Sequence, residues 1–234
     1  MTRAFGYLVG PTLMTAVMLA VLIALGTWQV HRLHWKQDLL AQIDRAEAAP
    51  SIPLPAAPAP FTRMSATGVF QYDRTALYGA EVRATAAGMA MGARMVVPLR
   101  RTTGETLLVD RGWAPLIRTG PLNQPGGIVT VEGYARFGDS PGWFSAKDDL
   151  PSRRFYTLNP AAIGQALGQT SVPPFVLVAL AAEGGPKSWP DPARHLPRPS
   201  NRHLSYAITW YGLALALLAI FAVWAKKGRA HEEF

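Results

Sequence analysis

Residues 206–225 read YAITWYGLALALLAIFAVWA, twenty positions without a charge. At about 1.5 Å per residue, a helix of that length crosses the roughly 30 Å apolar core of a bilayer. A second such stretch, YLVGPTLMTAVMLAVLIALGT, occupies residues 7–27 and is equally free of charge. Spanning helices are therefore expected over 7–27 and 203–225, near the two ends of a 234-residue chain. For the first stretch the alternative is a cleaved signal peptide. Its basic region holds only Arg3 and the amino terminus, its apolar run is longer than the usual 7–15 residues or so, and no clear A-x-A site follows.

The flanks set an orientation. The second helix runs into Lys226, Lys227 and Arg229, a short basic tail of the kind kept on the cytoplasmic side. Two spans then put both tails, 1–6 and 226–234, in the cytoplasm and the long middle segment outside. A span beginning by residue 7 leaves no room for a transit peptide. The expectation is a multi-pass protein of the bacterial inner membrane whose domain is periplasmic.

Between the anchors the pattern changes twice. Residues 28–48 lack Pro and Gly, and Leu33, Leu39, Leu40 and Ile43 recur at broadly helical spacing, so the first helix should continue as an amphipathic extension. Residues 49–60 (APSIPLPAAPAP) carry five prolines, which rule out helix and favour an extended linker. Residues 61–185 then alternate β-branched and aromatic runs with Gly and Pro, giving strands at 65–71, 75–79, 94–100, 106–110, 128–136 and 175–180. Asn159 followed by Pro160 starts one short helix, 160–167. A second proline-rich linker is expected over 186–202. The fold class is thus an α+β membrane protein: two transmembrane helices forming a hairpin that flanks an antiparallel β-rich extramembrane domain, a small barrel or sandwich.

The net charge of +8 invites a nucleic-acid reading. The charges are scattered, however, with no like-charged run longer than two, so they point to solubility and to anionic lipid. Zero cysteines exclude disulfides, thiolate metal sites and a cysteine nucleophile. There is no G-x-S-x-G elbow, H-E-x-x-H pair or phosphate-binding G-x-x-x-x-G-K loop, and no enzyme is expected. Asp148 and Asp149 are adjacent, which in a strand sends them to opposite faces. Asp110 with His203 or His195 is an acid–base pairing that the residue types allow and nothing in the spacing favours.

Two clusters remain. At the entry to the second helix His203, Tyr206 and Trp210 are spaced i, i+3, i+7 and share a face. That arrangement suits an axial ligand to haem iron with rings against the macrocycle. It suits equally, and more ordinarily, an interfacial aromatic belt. At the exit of the first helix Trp28, Arg32 and Trp35 share one face and Gln29, Arg32 and Lys36 an overlapping one. A cationic rim there fits haem propionates or, favoured on spacing alone, lipid headgroups. His31 with His34 is an incomplete metal set, and Met89, Met91 and Met95 are core filler or soft copper ligands.

Taken together, Leu25-Gly26-Thr27-Trp28-Gln29 with Arg32, Trp35 and Lys36, then 108–115 (LVDRGWAP), then Asn201 with 203–214 (HLSYAITWYGLA) resemble the Surfeit locus protein 1 (Shy1) family; residues 88–98 match more loosely. The resemblance covers essentially the whole chain. It implies a factor that assembles haem-copper cytochrome c oxidase, binding haem a and helping insert it into the catalytic subunit. His203 would then be the iron ligand, with Tyr206, Trp210 and Trp28 covering the ring and Arg32 or Lys36 near a propionate. Partners so implied are the oxidase catalytic subunit, the lipid bilayer and, further, haem a synthase, with no nucleic acid. Many relatives have Asn where this chain has Asp110. A cofactor-free scaffold for an oxidase assembly intermediate is the alternative.

Overall fold

A computed structural model of the chain describes residues 2–117, 120–140, 142, 146–182 and 188–230. It divides into two units: residues 1–42 with 198–234, and residues 43–197. The first is built from helix α1 (Thr2–Ala48), whose last turns belong to the second unit, and helix α3 (His203–Ala230). Both are long and apolar enough to cross a membrane. α1 runs unbroken from residue 2 into the expected extension, and α3 continues through Lys226 and Lys227, so most of the residues read as tails are helical.

Among the described residues the second unit holds eight strands in one sheet: β1 (Ile52–Pro53), β2 (Arg63–Phe70), β3 (Ala76–Thr85), β4 (Gly88–Arg101), β5 (Thr106–Pro115), β6 (Val129–Phe137), β7 (Arg154–Phe155) and β8 (Phe175–Ala179). Their order is β1-β2-β6-β8-β5-β4-β3-β7, and β2 also pairs with β4. That extra pairing closes β2, β6, β8, β5 and β4 into a barrel. β4 makes closure possible by dividing one edge: its end, Leu99–Arg101, pairs with β2, and its earlier part, from Gly88 to Val96, with β3. At the seam a Cβ on Gly68 would lie 2.3 Å from the Arg100 carbonyl oxygen, so only glycine fits where the two backbones meet.

The expected antiparallel domain needs correcting. β5–β8, β1–β2 and β3–β7 are parallel pairs, so the sheet is mixed. β8 comes late in the chain and inserts between β5 and β6, antiparallel to the second and therefore parallel to the first. Both faces of β5 and β8 are covered, which explains why β8 and the first half of β5, Leu107–Val109, are continuous apolar runs without alternation. Met64, Phe70, Val97, Leu99, Leu107, Val109, Phe175 and Leu177 fill the barrel. On the outside, Ile163 and Leu167 pack on Val96, Leu108, Val176 and Val178; Ile163 belongs to helix α2 (Pro160–Ala166), whose cap is Asn159 as expected, accepting from the Ala162 amide at 3.1 Å.

Other differences have local causes. The first linker contributes β1, because prolines are tolerated on a sheet edge. β3 and β4 are longer than expected and form a hairpin through Met89 and Met91. The second linker belongs partly to the domain: Trp113 and Asp191 exchange backbone hydrogen bonds of 2.9 and 2.7 Å, and Ala193 donates to Ala179 at 3.1 Å. The expected boundary at 185–186 lies outside the described residues. Near the domain's ends, Glu47 holds the His195 ring at 2.9 Å and accepts the Leu196 amide at 3.3 Å.

The strand expected over 106–110 continues to Pro115, and its acid has a structural task. Asp110 is buried, pairs through one carboxylate oxygen with the Arg94 guanidinium, and accepts the Gly112 amide at 3.0 Å through the other. Burial works against the charge on Arg94, but Asp110, with Tyr134 and Glu81 behind it, outweighs burial and raises its pKa. Gly112 takes a positive φ of 119°, with the Asp191 carbonyl against the space where a Cβ would be. Trp113 then sits over Gly92, gives its indole N–H to the Glu81 carbonyl at 3.2 Å, and meets Trp189 edge-on. The motif 110–113 is thus a joint in the sheet. Asp110→Ala, which leaves Arg94 without its carboxylate, should lower the unfolding free energy by about 3–5 kcal/mol, read from denaturant melts of the detergent-solubilised chain.

Candidate functional site

In the helical unit, the contacts run antiparallel: Gln29 meets His203, and Gly26 and Thr27 meet Tyr211. Small residues let the helices approach. Ala207 and Ala214 on α3, with Leu22 and Gly26 on α1, are buried, a stripe of the kind that packs spanning helices closely. A Cβ on Gly26 would fall 2.8 Å from the Tyr211 ring, whose hydroxyl lies 3.0 Å from Thr27 Oγ1.

His203 opens α3 on this inward stripe. Its Nδ1 lies 2.7 Å from Gln29 Oε1, and Gln29 is only 9% exposed. A carbonyl oxygen can only accept, so in the neutral ring this contact places the proton on Nδ1 and leaves the lone pair on Nε2. Metal-binding histidines are set in this way, with one ring nitrogen donating to a neighbour and the other left to bind. The donor set therefore fits a single axial ligand to haem iron. Gln29 was noticed in the sequence only as part of the polar rim; its place as the partner of His203 needed the register between two helices 174 residues apart.

The remaining candidates divide. Trp210 is half-buried two turns along α3 from His203, whereas Tyr206 is 55% exposed and Trp28 56% exposed. Arg32 lies over the Trp35 ring at 3.9 Å from its centre, and Lys36 approaches the same ring at 5.6 Å. This cation–aromatic cluster begins one helical turn beyond Gln29. The two helices touch directly at Gln29–His203. A groove of about 430 Å³ along Ala219, Ile220, Val223, Trp224 and Lys227 lies roughly 25 Å farther along α3 at the helical rise, well away from His203.

Other possibilities raised by the sequence come apart. His31 and His34 are exposed, and no group of three or more His, Asp or Glu gathers among the described residues. Met89 and Met91 are exposed on the β3–β4 hairpin while Met95 is buried, about 20 Å from Met89 at strand rise, so the three do not converge. Asp148 and Asp149 serve their loop: the first accepts the Tyr156 amide at 2.7 Å, the second the Ser152 amide at 3.3 Å.

Residues 16–215 match the model of the SURF1 family. Over 225 residues the chain is 30% identical to a SURF1-like protein of Monosiga brevicollis, covering 89% of this chain and 85% of that one. It is 29% identical to Surfeit locus protein 1 of Takifugu rubripes, with 89% and 94% covered. A SURF1-like protein of Rickettsia conorii is 26% identical, with 90% and 89% covered. The packing of the helix pair is open to test by overpacking. Gly26→Val should cost about 1–3 kcal/mol by displacing Tyr211, and the cost should shrink in a Gly26→Val/Tyr211→Ala double variant, measured as coupling in a melting cycle.

Proposed function

Since this chain belongs to the SURF1 family, we propose that it assists the assembly of haem-copper cytochrome c oxidase by holding haem a at His203 and passing it to the catalytic subunit. The observation that carries this reading is the Gln29–His203 hydrogen bond. A buried side chain fixes the imidazole so that its ligating nitrogen is ready, an arrangement that an aromatic belt at a membrane surface does not need. Both helices are membrane anchors in this reading, with both termini cytoplasmic and the β domain in the periplasm of a bacterial inner membrane.

The chemistry required is transfer without bond-making in the cargo, and no enzyme is invoked. A lone histidine leaves the opposite side of the iron open, so that a site with two strong ligands wins the competition. Trp210, half-buried two turns along α3 from His203, and the exposed rings of Tyr206 and Trp28 supply apolar cover for a macrocycle lying on the flank of the helix pair. Arg32 and Lys36 supply charge for the propionates. Release then depends on contact with the oxidase subunit, and haem a synthase is the natural donor.

The protein purified from cells that make haem a should show the corresponding pyridine haemochrome spectrum, and His203→Ala should abolish it. Gln29→Ala, which keeps the ligand but frees its ring, should weaken haem retention by about 10–100-fold. A wild-type protein that carries no haem a although haem a is present would falsify the cargo reading. The chain would then be a scaffold for an oxidase assembly intermediate.

A further inference from the structure

Arg111 is a charge that the fold does not explain. It follows Leu107 and Val109 at two-residue spacing on β5, so its side chain starts on the inner face of the barrel. Its guanidinium carbon lies 4.9 Å from the centre of the Phe70 ring and 5.1 Å from that of Tyr72. The two ring centres are 5.4 Å apart. The three centres thus form a nearly equilateral triangle, with the cation seated against both rings.

Seven arginines of the domain (Arg63, Arg74, Arg83, Arg94, Arg101, Arg136 and Arg194) have a carboxylate oxygen within 4.0 Å. Arg111, like Arg100, Arg153 and Arg154, has none among the described residues, and its Nη1, like the Nε of Arg63 and of Arg154, is buried without a hydrogen-bond partner. Burial lowers its pKa, and Tyr72 only partly opposes this. Withdrawing a guanidinium from water with no anion beside it is costly, and buried donors left unmatched are rare enough in folded proteins to call for a cause. Ring contacts act on the faces of the guanidinium plane. The N–H groups lie in that plane and remain for a flat acceptor, for which two parallel bonds to a carboxylate are the best match.

We propose that Arg111 is a carboxylate-receiving site at the end of the barrel, with Phe70 and Tyr72 as its wall and the anion supplied from outside the chain. The carboxylate is either that of a small free acid or one displayed by an acidic polypeptide. The site stands on the β domain alone and does not depend on haem at His203. Its purpose accounts for the stability given up in burying an unpaired charge.

The test is thermal unfolding of the full chain in detergent with sodium succinate, with an acetylated glutamate-rich peptide, and with sodium sulfate at matched ionic strength. Saturating succinate or peptide should raise the wild-type Tm by about 2–4 °C, with sulfate well behind. Arg111→Met should show no shift. Arg111→Lys, which keeps the charge without the planar fork, should lose most of the shift, and it decides the matter should Arg111→Met fold poorly. A response to both probes assigns the site to free carboxylates; a response to the peptide alone assigns it to a polypeptide. No shift with either probe, an equal shift with sulfate, or a succinate shift that survives in Arg111→Lys overturns the proposal.

Discussion

β4 shares its outer edge between two strands: Leu99–Arg101 hold the end of β2, and the residues from Gly88 to Val96 hold β3. Much else in the domain depends on that division. Where the edge changes hands the strand must bend, and the register between β4 and β5 slips between Arg94 and Val96, opposite Trp113 and Asp110. The buried Arg94–Asp110 pair, the positive φ of Gly112 and the seating of Trp113 on Gly92 all occur at that slip. A bulge frees a residue from the ladder and turns its neighbours. Here the turned neighbours are the residues of the 110–113 motif: Asp110, Gly112 and Trp113 find partners within the sheet, and Arg111 does not.

The helical unit obeys a simpler rule. Side chains as large as tryptophan are kept off the contact at Gly26, Ala207 and Ala214, and the helices come close enough for Gln29 to touch His203. Close approach and the oriented imidazole are therefore one property. A residue that widened the seam would also release the histidine ring.

Much of this was legible in the sequence, for identifiable reasons. The two apolar helices follow from length and charge alone. The interior strands β5 and β8 declare themselves as β-branched and leucine runs, and α2 by Asn159 and Pro160. What was hidden depends on partners distant in the chain. β1 and β7 are two-residue strands that exist only because a sheet edge stands beside them. The parallel β5–β8 pairing follows from where β8 inserts, which no local pattern encodes. Asp110 looked like a strand end because its partner, Arg94, lies across a bulge. At the candidate site, His203, Tyr206 and Trp210 were visible as a helical face, but helical phase could not say that Tyr206 points away from the seam while Ala207 enters it. Gln29 was legible as a polar neighbour and not as the residue that holds the histidine.

The position of β8 bears on how the domain is made. A ribosome delivers the strands in order, and β5 and β6 are complete long before Phe175–Ala179 exists to join them. Until then the nascent sheet has a slot with two unsatisfied rims, each able to accept a stray strand. Closure waits for nearly the last part of the domain to emerge, with α3 only a short segment behind. Completion of the barrel and emergence of helix α3 thus follow closely on one another in synthesis.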